Sequence, residues 1–346
     1  MVTKRHIRWL LIVFWVVIGA RAQQIPTSKG SQTSTVHLDV VVMPKGGGLA
    51  VTGLQQEDFS VLDNKSPQPI RSFQAVDGRQ ASANIIMVID AVNTSYQQVA
   101  FERGEIEKFL RADGGHLAHP IQLAVVTDTG SQIQETSSSD GNTVGDALEH
   151  YEVGLRDIHR SAGIYGDDER FRICLKALDS MVSSVPASSG RTMIFWMSPG
   201  WPLLTGPNIQ LGSKQQEMIF SSIVDLSTRL REARVTLYSL NPLGVDQGIG
   251  RAHYYEQFVK GISKPSQVQL GDLSVQALAE QSGGLALSST GVAEMLQQSM
   301  KDADSYYELT FQALPAEKRN EYHSVEVKLT KPGLVGRTRQ GYYAQP

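Results

Sequence analysis

The most constraining feature of this chain is five residues long. Residues 85–89 read Ile-Ile-Met-Val-Ile, an unbroken and mostly β-branched apolar run closed by Asp90. A run without alternation predicts a strand buried on both faces, as in the middle of a parallel sheet. Two-sided burial needs helices above and below, and the sequence supplies them. Apolar runs at Ile121 to Thr127, Thr192 to Met197 and Val235 to Leu240 alternate with helical periods at Gln97 to Arg111, Val144 to Arg156, Glu169 to Ser184 and Gln215 to Arg231. Leu273 to Gln281 and Val292 to Ala303 continue the helical pattern, with a short edge strand at Leu285 to Leu287. The link Asp128-Thr129-Gly130 is too short for a crossover, so Ser131 to Thr136 is expected to run antiparallel at the sheet edge. The predicted class is α/β: a doubly wound, mostly parallel sheet with one antiparallel edge strand.

Both ends of the chain change to a period of two. Val36, Leu38, Val40 and Val42 alternate with their neighbours, and Phe59 to Leu62 and Ile70 to Phe73 follow. Gly46-Gly47-Gly48 sits between strand-like runs with no helix after it, which predicts a hairpin turn and not a phosphate cradle. At the far end, Tyr307 to Leu314, His323 to Thr330 and Leu334 to Tyr343 predict three strands, the last two joined by a turn at Lys331-Pro332-Gly333. Neither group closes a core alone. Segments 35–80 and 305–346 are therefore expected to share a small β-sandwich into which the α/β domain, 84–303, is inserted.

Lys4, Arg5 and Arg8 precede the apolar stretch Trp9 to Ala20 and the small residues of Ala20-Arg21-Ala22. This pattern predicts a signal peptide over residues 1–22, with an uncleaved membrane anchor as the alternative, and a polar lead-in over 23–34. The expected location is secreted or periplasmic, with no membrane span after cleavage. The 32 basic and 35 acidic residues leave a formal charge of -3, too small a field to attract nucleic acid. Cys174 is the only cysteine, which excludes an intrachain disulfide and a thiolate zinc site; it is expected as a buried small apolar residue.

Five segments resemble, as an ordered set, the von Willebrand factor A-related proteins exported by acidobacteria and similar bacteria. They are Asn84 to Asp90 with its Asp90-x-x-Asn93-Thr94 ending, Leu278-Ala279-Glu280-Gln281-Ser282-Gly283-Gly284, Tyr306-Tyr307-Glu308-Leu309, Arg339-Gln340-Gly341-Tyr342-Tyr343, and Val51-Thr52-Gly53-Leu54 with Asp58-Phe59-Ser60-Val61. The resemblance implies adhesion or protein interaction without catalysis. It also implies a metal-ion-dependent adhesion site, with Asp-x-Ser-x-Ser in the first loop, a Thr in the second and an Asp in the third, because Mg²⁺ takes hard oxygen ligands. Here the first loop is Asp90-Ala91-Val92-Asn93-Thr94, and Ser198-Pro199-Gly200 stands where the third-loop Asp is expected. No threonine is placed in the second loop, near Ser161 to Tyr165. The site is thus degenerate, with Asp90, Thr94 and Ser198 as its remaining candidate ligands. Mg²⁺ is the one cofactor suggested, and tight binding is not expected. A structural Asp90 would accept bonds from the backbone N–H groups of the following helix.

No Gly-x-Ser-x-Gly, Gly-x-Gly-x-x-Gly, phosphate loop or His-Glu-x-x-His occurs, and His116, His119, His150, His159 and His253 lack ligand spacing. In a sheet of this kind function gathers at the carboxyl ends of the strands. That puts Asn93, Asp128, Trp201 and Asn241 on one candidate binding face. Trp201, flanked by Leu203 and Leu204, is an aromatic anchor for a protein partner or a packing residue against the 244–271 insertion. The expected function is a protein-binding module whose partner is unidentified. The alternatives are a hydrolase or other enzyme with an unrecognised site, or a structural scaffold of the envelope or secretion apparatus.

Overall fold

A computed structural model describes residues 34–77, 83–150, 164–186, 190–202, 211–244 and 254–346. The expected signal peptide, nearly all of the lead-in, His159, His253, Leu203, Leu204 and residues 161–163 lie outside the described residues. Among those described, no helix is long and apolar enough to cross a membrane.

The chain opens with four strands: β1 (Thr35–Pro44), β2 (Phe59–Asp63), β3 (Ser66–Gln68) and β4 (Ile70–Asp77). The α/β elements follow: β5 (Asn84–Asp90), α1 (Tyr96–Arg111), β6 (His116–Thr127), β7 (Gly130–Ile133), β8 (Ser138–Asp140), α2 (Gly141–His150), α3 (Ile164–Ser184), β9 (Thr192–Met197), α4 (Ser213–Glu232), β10 (Val235–Asn241), α5 (Val275–Gln281), β11 (Ala286–Ser288) and α6 (Val292–Asp304). Last come β12 (Ser305–Gln312), β13 (Glu321–Leu329), β14 (Leu334–Arg337) and β15 (Gly341–Ala344).

The fold is mixed α/β with a mostly parallel central sheet. Its order is β11-β10-β9-β5-β6-β7, and β8 also pairs with β6. Only β7 and β8 run antiparallel. Two-sided burial is visible along β5 itself, where successive side chains enter different cores. Ile85, Met87 and Ile89 pack with Val99 and Ile106 of α1 and Leu296 of α6. Ile86 and Val88 pack with Leu178 of α3, Leu226 of α4 and Leu278 of α5. Ser95 starts α1 with a reciprocal cap: Gln98 N donates to its hydroxyl at 3.3 Å and Ser95 N donates to Gln98 Oε1 at 3.0 Å. The sequence pattern missed β8, whose residues are all polar or small, and the start of β6, which passes through Pro120 beside a register shift.

Strands from both ends of the chain meet in two four-stranded antiparallel sheets, ordered β14-β1-β12-β4 and β15-β13-β2-β3. One apolar cluster draws on both, joining Leu38 and Val40 of β1 and Leu309 of β12 to Val61 of β2 and Tyr342 of β15. Two expectations are corrected here. Leu334 to Tyr343 is not one strand: Thr338 to Gln340 lie between two strands, and Gln340 joins β13 to the α/β elements, accepting Val325 N at 2.9 Å while its own N–H donates to Gln281 O at 3.1 Å. β14 therefore belongs to one sheet and β15 to the other. The Gly46-Gly47-Gly48 turn joins no strand hairpin either: β1 pairs with β12 and β14, and after the turn only Val51 N returns to Val42 O, at 2.8 Å.

Candidate functional site

Because β5, β6, β9 and β10 are parallel, their carboxyl ends share one edge of the sheet. Asp90 ends β5 and is fully buried. Its Oδ1 accepts Val92 N and Asn93 N, both at 3.1 Å. Its Oδ2 accepts Asn93 Nδ2 at 2.8 Å and Trp196 Nε1 at 3.1 Å, with the Cys174 thiol donating from 3.7 Å. The carboxylate thus closes its own loop onto β9 and α3. It does not cap the following helix as expected, because Ser95 performs that task. Cys174 is buried as expected but is a partner and not a spectator, for Asn93 Nδ2 also donates to its sulfur at 3.1 Å. Burial, then the Asp90 charge, pushes the thiol well above its ordinary pKa.

This donor set does not fit a divalent cation. A cation needs lone pairs, yet Asp90 is ringed by groups that present protons. The indole and backbone N–H groups cannot be turned to offer anything else. Thr94 is buried in the same loop. Ser198 is buried but spends its hydroxyl on its own turn, accepting Gly200 N at 3.2 Å. Among the described residues no three His, Cys, Asp or Glu side chains converge as metal ligands.

One neighbour was missed by pattern reading. Glu102 is fully buried, and both its carboxylate oxygens lack a hydrogen-bond partner. It stands on the inward stripe of α1 with Val99, Ile106 and Leu110, so a charged residue at an apolar position was the signal. Burial, then the Asp90 charge, raises its pKa to about 8.

The expected binding face is only partly a surface. Trp201 is 4% exposed, packed edge-on against Trp196 at 5.3 Å and Phe171 at 6.0 Å between ring centroids, so it is not an exposed anchor. Asn241 holds its own turn, donating to Ser288 Oγ at 3.0 Å and accepting Leu243 N at 3.0 Å. Asp128 is half-buried. Asn93 is turned inward to Asp90. Among the described residues of this edge, Tyr96 at the first turn of α1 is an exposed aromatic side chain, 53% accessible.

The other segments that carried the resemblance are joints. Ser282 accepts Leu237 N at 2.9 Å and donates to Ala279 O at 2.8 Å, binding the end of α5 to β10. A Cβ on Gly284 would lie 1.8 Å from Leu237 O, so no other residue fits there. The Tyr307 hydroxyl donates to Val51 O at 2.9 Å and accepts Leu54 N at 3.1 Å, pinning the Val51 to Leu54 segment. The Tyr342 hydroxyl donates to the buried Asp63 at 2.5 Å.

No family model and no curated protein matches the chain. Among solved structures it is similar to the PilB minor pilin from Streptococcus sanguinis, at 11% identity and a TM-score of 0.37, covering 68% of this chain and 63% of the pilin. It is also similar to the pilus adhesin SpaC from Lactobacillus rhamnosus GG, at 8% identity and a TM-score of 0.35, covering 84% of this chain and 49% of SpaC. The SpRpn10 VWA domain matches at 13% identity and a TM-score of 0.30, covering 64% of this chain and 96% of that domain. The chain spans less than two thirds of both pilus proteins.

Proposed function

We propose that this chain is an exported, non-catalytic protein-binding module of the von Willebrand factor A type, its α/β part set into a β-sandwich made by both chain ends. In this reading its adhesion metal site has been replaced by an internal hydrogen-bond network. The observation that carries the reading is the Trp196 indole N–H on Asp90, joined by two backbone N–H groups: the carboxylate that would hold a metal serves the fold instead. A thiol held protonated by burial and by Asp90 also argues against Cys174 as a nucleophile. Without a metal, recognition falls to side chains on the loop edge, and Tyr96 offers exposed aromatic area there.

The test is cross-linking capture of partners from the exported fraction, in Mg²⁺ and in EDTA. Capture is expected to be equal in both and to fall ~10-fold or more for Tyr96→Ala, as loss of an aromatic anchor does, with an unchanged melting temperature. Capture that needs Mg²⁺ would refute the metal-free reading. Capture indifferent to Tyr96→Ala would move the binding face elsewhere.

A further inference from the structure

We propose that the opposite, amino edge of the sheet holds a buried site for one small anion of the halide class, enclosed by Arg231, Arg234, Thr338 and Arg339. A cavity of about 10 Å³ opens there, with Asp39 as the only carboxylate in its lining. That carboxylate is already engaged, since Arg234 Nη2 donates to Asp39 at 2.5 Å and to Glu308 at 2.6 Å. Arg231 directs one Nη to Glu232, a residue 62% exposed in its side chain. What remains is an excess of donors: Arg231 Nε, Arg234 Nε and Thr338 Oγ1 are buried with no hydrogen-bond partner. Arg339 is 8% exposed and makes no ion pair among the described residues.

A guanidinium taken out of water without a counter-charge is costly, and unused buried donors add to the cost. The cost shows in Arg339, whose pKa falls to about 10 through burial and the neighbouring Arg231 charge. One species offsets both deficits: an anion, which accepts from every donor and balances the charge. Size limits the choice. A void near the threshold for a single water excludes sulfate or phosphate, and leaves a halide, the smallest class of anion, which enters as the flexible arginine side chains give way around it. His37, exposed on β1, lines the cavity and gives the ion a route from solvent. An ion bound there joins β1 and the Thr338 to Arg339 link to α4 and β10.

The experiment compares melting in sodium chloride and sodium gluconate at matched ionic strength, together with crystals soaked in bromide. Chloride is expected to raise the melting temperature saturably by ~2 °C or more, as a ligand bound only by the folded state does. An anomalous bromide peak is expected within hydrogen-bond distance of Arg231 Nε and Arg234 Nε. Arg339→Gln should abolish the chloride effect. If that variant does not fold, Thr338→Val, which keeps every charge, should weaken the effect at least twofold. Equal melting in both salts, or a cavity holding water alone in bromide crystals, would overturn the proposal.

Discussion

The two edges of the central sheet solve opposite electrostatic problems. At the carboxyl edge two buried carboxyl groups, Asp90 and Glu102, lie near each other with no cation among the partners of either. Neutral N–H and thiol donors satisfy Asp90, and burial favours the protonated form of Glu102. The amino edge is rich in arginine. Arg191 donates to the Asp302 carbonyl at 2.5 Å and lies 4.7 Å from the Tyr306 ring centroid. Asp302 accepts the Tyr238 hydroxyl at 2.6 Å and pairs with Arg337, which in turn reaches Gly283 O at 2.5 Å. Arg234 bridges Asp39 and Glu308. Charge is therefore concentrated where the terminal strands are fastened to the α/β elements.

Removing a charge from the amino edge should do the most damage. Asp302→Ala strands the Arg337 guanidinium and the Tyr238 hydroxyl in a buried site, and a loss of ~3–5 kcal/mol is expected in chemical denaturation. A loss under ~1 kcal/mol would show that solvent reaches the network. Asp90→Ala comes next. It orphans two backbone N–H groups and the Trp196 indole, for an expected loss of ~2–4 kcal/mol with no dependence on Mg²⁺. If the variant were as stable as the parent, the network would be incidental to the fold.

Glu102 sharpens the comparison through pH. Its folded pKa of about 8 exceeds its ordinary 4.5, so between these values the folded chain keeps a proton that the unfolded chain has lost. The stability it supports is fully present below pH 4.5, declines as pH rises, and is gone above about 8. Glu102→Gln should flatten this decline and be more stable than the parent by ~1–3 kcal/mol at alkaline pH. Parallel stability–pH curves for parent and variant would place the ionised carboxylate in contact with water.

Most of the architecture was legible because burial dictates composition. The all-apolar β5 run and the alternation in β1 each had one reading, and the structure shows the corresponding strands. The site was less legible, because the roles of Trp196, Cys174 and Glu102 depend on distances across elements that sequence spacing does not contain. Trp201 shows the same limit in reverse. Its position after a strand left an exposed anchor and a packed residue both open, and the packing of Trp196 and Phe171 around it shows the second, with partners other than the 244–271 insertion. The segments that carried the resemblance hold the terminal strands in place, as Ser282, Gly284, Tyr307 and Tyr342 show, and are silent about what is bound.

Whether Asp90 serves the fold and not a metal is tested most directly by titration calorimetry with Mg²⁺ and Mn²⁺. No saturable heat is expected from binding tighter than a dissociation constant of ~1 mM, a level at which ligand linkage adds little stability. Micromolar binding of either ion, abolished by Asp90→Ala, would contradict it.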